Sequence, residues 1–343
     1  MNKYEITKEK ILTMYRTMVR IREFENQSIE IAKMNLTRAA IHTYNGQEAI
    51  AVGVCENLTY QDYITSTHRG HGHSIAKGAD LKRMFAELMG RETGYCKGRG
   101  GSMHIADTNI GMLGANGIVG GGIPISVGAA LALKYQRSNN IVVSFFGDGA
   151  ANEGAFHEAL NLASINALPV AFVCENNEYG ISMNVSKATN IKYLSDRAVA
   201  YGIKGITLDG NDVVGVYTEF CKIAEEIRNG YGPVLIEMKT YRMSGHYYGD
   251  NENYRTKDEV AAWRERDPIK LCGERLIADY GLQQSTMDQI IKEERATVLA
   301  ACEEAQGDPE PSPVDLYKDV YDPNFKEIEW KTWLAEGAKV YAK

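Results

Sequence analysis

The chain has 343 residues, 44% hydrophobic and 24% charged, which is ordinary for a globular protein and ample for a large buried core. A net charge of −7 argues against nucleic acid as a partner, and the longest apolar stretch, near residues 123–133, is too short and glycine-rich to span a bilayer. The six cysteines form no CxxC pair, which argues against a zinc or dithiol motif and fits a reducing cytosol; the opening MNKYEITKEK has neither a signal core nor transit-peptide character, so a cytoplasmic chain is expected.

Thr7 is the expected N-cap of a long first helix reaching about Lys33. Ile11, Met14, Met18 and Ile21 recur at spacings of three and four and mark its buried stripe. IHTYNGQE, residues 41–48, leads into a short helix over 48–55. TSTHRGHGH, residues 65–73, concentrates three histidines and an arginine among glycines. Three roles are open to it: a zinc site from His68, His71 and His73, a self-satisfied polar loop, or a cationic, donor-rich loop over a ligand. The glycine-rich middle, residues 90–128, includes CKGRGGSMHI and GMLGANGIVGGG. Glycine there lets backbone approach a ligand closely, and a helix is expected directly after it, over 125–136.

The most informative stretch is residues 141–182. A β-branched and aromatic run over 141–146 predicts a strand buried on both faces. Gly147-Asp148-Gly149 follows, then a helix over 151–164, a second buried strand over 170–174, and Glu175-Asn176-Asn177. A strand–helix–strand unit of this length makes two parallel strands by a right-handed crossover. Asp148 and Asn177, 29 positions apart, therefore both lie just past carboxyl ends of strands, where open parallel sheets bind ligands. The helix after Gly149 would aim its amides there, which suits phosphate. A carboxylate beside a diphosphate needs a cation between them, and Asp148 with the Asn177 side-chain oxygen suits magnesium. A nicotinamide-binding turn would want GxGxxG; here the third glycine, Gly154, is misplaced.

Beyond this unit, helical turns over 196–201 and 213–228 alternate with strands over 206–210 and 233–239. The expected fold is α/β, a doubly wound, mostly parallel sheet flanked by helices. TYRMSGHYYGDNENYR, residues 240–255, follows a strand end and reads as a functional loop or a plain surface connection. Thr256 to Glu259 is a capping box, Pro268 opens another helix, and a last helix runs from Ser285 to about Gly307. DPEPSP, residues 308–313, reads as a stiff linker, and Trp330 and Trp333 as a docking tail. One domain over 1–343 is expected, with helical extensions over 1–40 and 256–343 around a core over 41–255.

GDG followed some thirty residues later by NN resembles the thiamine diphosphate signature. From the first helix to about Pro323 the chain resembles the alpha subunit of the thiamine-dependent first component of 2-oxo acid and acetoin dehydrogenase complexes. The resemblance implies thiamine diphosphate and magnesium as cofactors. It places Arg69, Gly117, Val119, Asp148, Gly149, Ala150, Asn177 and His246 toward the cofactor, and Asp148, Asn177 and Tyr179 toward the metal. His42, His68 and His246 become the candidates for proton transfer. It further implies cleavage of a carbon–carbon bond in a small-molecule substrate, with the two-carbon unit passed to a lipoyl-bearing acyltransferase component. The activating glutamate comes from a beta subunit in an α2β2 heterotetramer; neither Glu48 nor Glu153 is assigned that role, so the chain alone is expected to be inactive. His68 stands where many pyruvate enzymes carry tyrosine, and with GMLGANGIVGGG it resembles the acetoin branch; pyruvate is the alternative substrate. Tyr247 replaces the regulatory serine of animal pyruvate enzymes. A non-catalytic subunit keeping the fold would be expected to lose Asp148 and Asn177, which are both present.

Overall fold

The computed structural model describes residues 6–315 and 318. Residues 1–309 form one compact unit, and 310–343 a second whose described part holds a 3₁₀ turn at Pro313–Asp315. Trp330 and Trp333 lie outside the described residues. The strands in chain order are β1 Tyr63–Thr65, β2 Met112–Gly114, β3 Val142–Gly147, β4 Val170–Asn176, β5 Tyr179–Gly180, β6 Met183–Asn184, β7 Lys204–Asp209 and β8 Val234–Lys239. Six of them make one sheet in the order β2-β1-β3-β4-β8-β7, and every pairing in it is parallel. β5 and β6 form a separate antiparallel hairpin.

The helices are α1 Lys8–Lys33, α2 Glu48–Cys55, α3 His71–Ala76, α4 Leu81–Leu88, α5 Gly122–Tyr135, α6 Gly154–Ile165, α7 Val185–Ala188, α8 Val213–Arg228, α9 Lys257–Arg264, α10 Pro268–Tyr280 and α11 Gln284–Gln306. The central strands alternate between two cores, as a period of two demands. Val143, Phe145, Val173 and Ile236 meet Ile50 of α2 and Val216 and Phe220 of α8 on one face. Val142, Phe146, Phe172 and Leu235 meet Val127 of α5 and Phe156 and Leu160 of α6 on the other. Burial on both faces explains why these strands read as continuous apolar runs. A third core is helical: Met14, Met18 and Ile21 of α1 pack with Leu276 of α10 and Ile290 and Val298 of α11. Thr7 caps α1 as expected, accepting from the Lys10 amide at 3.2 Å. Among the described residues, no helix is long and apolar enough to cross a membrane.

Several local expectations need correction. The helix after the GDG turn does not start at 151; a 3₁₀ turn, Gly149–Asn152, comes first, and α6 begins at Gly154. Arg197 explains the break, because its guanidinium takes the Ala151 carbonyl and, at 2.7 Å, the Asn152 side-chain oxygen. α5 starts three residues earlier than expected, since Pro124 needs no amide partner in a first helical turn. TSTHRGHGH is not all loop: its last three residues, from His71 to His73, open α3. β1 and β2, at three residues each, are too short to carry a periodic signal. The capping box is half used. Thr256 accepts from the Glu259 amide at 3.1 Å, but the Glu259 carboxylate reaches elsewhere.

Candidate functional site

β3 and β4 are paired so that Phe146 lies beside Cys174 and Gly147 beside Glu175. Asp148 and Asn177 therefore emerge together at one edge of the sheet. Both are buried and both line a cavity of about 470 Å³. Burial, with the charge of Glu178, pushes the Asp148 carboxyl up to about 6, although its own amide, Arg242 and the Asn177 amide pull the other way. Holding it ionised within the protein alone costs roughly 3 kcal/mol relative to water. The Asn177 amide group is oriented from behind: its Nδ2 donates to Gln47 Oε1 at 3.1 Å, and its Oδ1 accepts from the Tyr179 amide at 3.4 Å. Gln47 is fully buried and lines the same cavity, with its Nε2 unpartnered.

The β5–β6 hairpin closes this side. A methyl group placed on Gly180 would sit 3.4 Å from the Gly149 Cα and 4.0 Å from Asp148 Oδ2, so the hairpin lies directly against the GDG turn. The Tyr179 carbonyl accepts from Arg242 at 3.2 Å, which leaves its second lone pair.

Opposite stand three imidazoles. His42, His68 and His246 have ring centroids 5.0, 5.1 and 5.5 Å apart pairwise, and all three line the cavity. Desolvation comes first and the Arg69 guanidinium second in lowering all three, to about 4 for His42, about 2 for His68 and about 3 for His246. They are neutral at physiological pH. His42 Nδ1 and His68 Nε2 are buried without a partner. Arg69 donates to the Thr43 carbonyl at 2.8 Å and to His246 Nδ1 and carbonyl at 3.0 and 2.8 Å. An arginine only donates, so His246 carries its proton on Nε2. Burial and neighbouring Arg242 lower Arg69 to about 9, which marks a cationic wall short of anions. The turn before α5 supplies the remaining wall. Gly117, Ile118, Val119 and Gly120 all line the cavity, and the Ile118 and Gly120 carbonyls accept the turn's own hydrogen bonds.

A family model described as the dehydrogenase E1 component matches residues 16–314. The chain belongs to the dehydrogenase E1 component family. Such membership makes it a subunit of a thiamine diphosphate-dependent oxidoreductase. The acetoin:2,6-dichlorophenolindophenol oxidoreductase alpha subunit of Bacillus subtilis is 47% identical over 318 residues, 92% of this chain and 95% of that protein. Its counterpart in Cupriavidus necator is 42% identical over the same shares. The pyruvate dehydrogenase E1 component alpha subunit of Rhizobium meliloti is 39% identical over 317 residues, 92% of this chain and 91% of that protein.

In this E1 chain the cavity gathers His42, His68, Arg69, Gly117, Val119, Asp148, Gly149, Ala150, Asn177, Tyr179 and His246 into one lining. The histidines of residues 65–73 part company. His71 is bound by Glu25 at 2.9 Å and Ser102 at 2.9 Å, and His73 by Ser66 at 2.7 Å and Glu175 at 3.0 Å. That separation removes the zinc alternative, and no group of three His, Cys, Asp or Glu suited to a metal occurs among the described residues. Glu48 is held by Arg22 at 2.6 Å, away from the cavity, whereas Glu153 lines it. The surface-connection alternative for 240–255 fails at its start, since Thr240, Tyr241 and Arg242 are fully buried. Gln47, Glu175 and Arg242 were missed as site residues. Each lay in or beside a stretch singled out above, 41–48, 175–177 and 240–255, but no pattern marked the residue itself.

Proposed function

We propose that this chain is the alpha subunit of a thiamine diphosphate- and magnesium-dependent acetoin dehydrogenase, acting with a beta subunit in a heterotetramer. It cleaves acetoin and passes the acetyl unit to a lipoyl-bearing acyltransferase component in the cytoplasm. Asp148 carries this proposal. A buried carboxyl raised to about 6, in one cavity lining with Asn177 and Tyr179, is a group that a hard divalent cation would relieve. The residues fit the rest of the cofactor too. Arg69 keeps two of its five N–H donors beyond the three bonds above, Gly149 and Ala150 open a 3₁₀ turn toward the anion, and Gly117 and Val119 offer backbone to a heteroaromatic ring.

The bound cofactor supplies carbanion stabilisation when the carbon–carbon bond breaks. The chain's own work is positional and protonic. Gln47 fixes which way the Asn177 amide faces, and Arg69 fixes the His246 tautomer, presenting an N–H at Nε2. His42 and His68, neutral and with a free ring nitrogen each, are placed to hold or take a proton from the substrate. An uncharged histidine wall suits acetoin, which is neutral, better than a carboxylate-bearing substrate. The greater identity to the two acetoin enzymes supports the same choice. Pyruvate remains the second candidate, because the cationic wall around Arg69 and Arg242 also favours an anion.

The decisive experiment reconstitutes the complex with its beta subunit and compares turnover of acetoin and pyruvate. Faster turnover of acetoin is expected, and equal or faster turnover of pyruvate overturns the preference. Asp148→Ala is expected to abolish magnesium-dependent cofactor binding by calorimetry; unchanged affinity would be fatal to the metal assignment.

A further inference from the structure

The backbone that carries Tyr179 is strained on both sides. Glu178 has φ 73° and Ile181 has φ 54°, left-handed values at two residues that are not glycine. Such a conformation is unfavourable for a residue with a Cβ and persists only where the surroundings over-determine it. Two side chains supply that constraint. Arg242 holds the carbonyls on either side, Tyr179 at 3.2 Å and Ile181 at 2.8 Å. Glu259 holds the ring: the Tyr179 hydroxyl donates to its two oxygens at 2.9 and 3.0 Å.

Glu259 comes from α9, 80 positions further along. α9 buries none of its own residues. As the third residue of its helix, Glu259 is placed to turn back toward the helix start. Instead its carboxylate bridges two phenols, since the Tyr241 hydroxyl also donates to Oε1 at 2.9 Å. Tyr241 in turn stacks on Trp263 of α9, with centroids 5.2 Å apart and planes 9° from parallel. α9 packs Val260 and Trp263 against the cluster of Tyr179, Tyr241 and Met243, and one carboxylate adds a directed polar tie to the hairpin that lies against Asp148 and Gly149.

We propose that Glu259 is a positioning residue for the cation side of the cavity. By fixing the Tyr179 ring it keeps the strained hairpin seated, so that the Tyr179 carbonyl stays grouped with Asp148 and Asn177. Glu259 touches neither the cation nor the substrate. The inference rests on the metal assignment proposed above and adds a residue from outside the cavity lining.

The test uses the full chain assembled with its beta subunit. Magnesium-dependent binding of thiamine diphosphate is measured by calorimetry, alongside tryptophan emission and the thermal midpoint. Glu259→Ala and Tyr179→Phe are each expected to weaken binding roughly tenfold or more, the scale on which outer-shell partners act. Glu259→Gln, whose amide oxygen still accepts from a phenol, is expected to restore affinity to within about threefold. Tyr241→Phe removes one bond from the same carboxylate but none from the hairpin, and is expected to bind like the parent. Parent-like affinity in Glu259→Ala overturns the proposal. So does a loss in Tyr241→Phe equal to that in Tyr179→Phe, or a loss that only tracks the thermal midpoint. A parent enzyme that binds no cofactor with magnesium overturns the metal assignment and this inference together, an outcome distinct from the others.

Discussion

His68, with His42 and His246, lines the cavity; His71 and His73, a few positions on, lie behind it. Both rear imidazoles have partners on both ring nitrogens, a carboxylate on one and a hydroxyl on the other. The cavity group has arginines for neighbours, and two of its members keep an unpartnered nitrogen. The rear pair joins elements together: His71 links α3 to Glu25 of α1, and His73 links it to Glu175 of β4. The cavity group is left electrostatically unsatisfied, which is the condition of residues that await something else. Under the proposed function, the histidines offered for proton transfer are the ones with fewer bonds.

This contrast can be broken most sharply from the rear. His73→Ala leaves the buried Ser66 hydroxyl without its partner, takes one of two partners from the buried Glu175 carboxylate and opens a void against Phe145. It is expected to destabilise the fold by about 3–5 kcal/mol in a urea melt. A loss under about 1 kcal/mol would remove the distinction. Acid comes next. Because the cavity histidines bind protons less readily folded than unfolded, stability is full above pH 6.5 and falls as the pH drops toward their lowered values. His68, the most deeply buried, is expected to contribute a loss of about 1.5 kcal/mol between pH 6.5 and 5, and His42 and His246, partly screened by solvent, less each. Asp148, shifted upward to about 6, works against this by about 1 kcal/mol over the same range, so the net effect is still a loss. Denaturant midpoints across pH 5–7 check the sign, and a flat profile would contradict it. The smallest effect on stability belongs to His68→Gln. It is expected to change folding stability by less than about 1 kcal/mol and to remove one proton's worth of that pH slope, while lowering turnover roughly a hundredfold. A large stability loss with intact turnover would reverse the roles of the two groups.

The spacing HGH has its own explanation in the same contrast. A methyl group at Gly72 would come within 2.2 Å of the Tyr44 ring, whose hydroxyl bonds Glu175, so glycine between the rear histidines is required by close packing. Counted as residues in the sequence, those three histidines and an arginine looked like one cluster. One turn of helix sent the last two to the far side of the cavity wall. The zinc alternative arose because helical geometry over six residues, His71–Ala76, was too short to announce itself by periodicity.

What the sequence determined by itself is the scaffold and the pairing of Asp148 with Asn177 at one sheet edge. Strands β3, β4 and β8, the long helices and the crossover that sets Asp148 beside Asn177 all follow from local apolar patterns and from the handedness of a strand–helix–strand unit. The cavity residues drawn from the family resemblance also lie together. Only the tertiary structure decided which polar groups hold them. Gln47 behind Asn177, Glu259 on Tyr179, and Arg242 on the hairpin carbonyls are each joined across long stretches of chain by one or two hydrogen bonds. Such bonds have no period and no composition, because they depend on where two distant elements happen to meet.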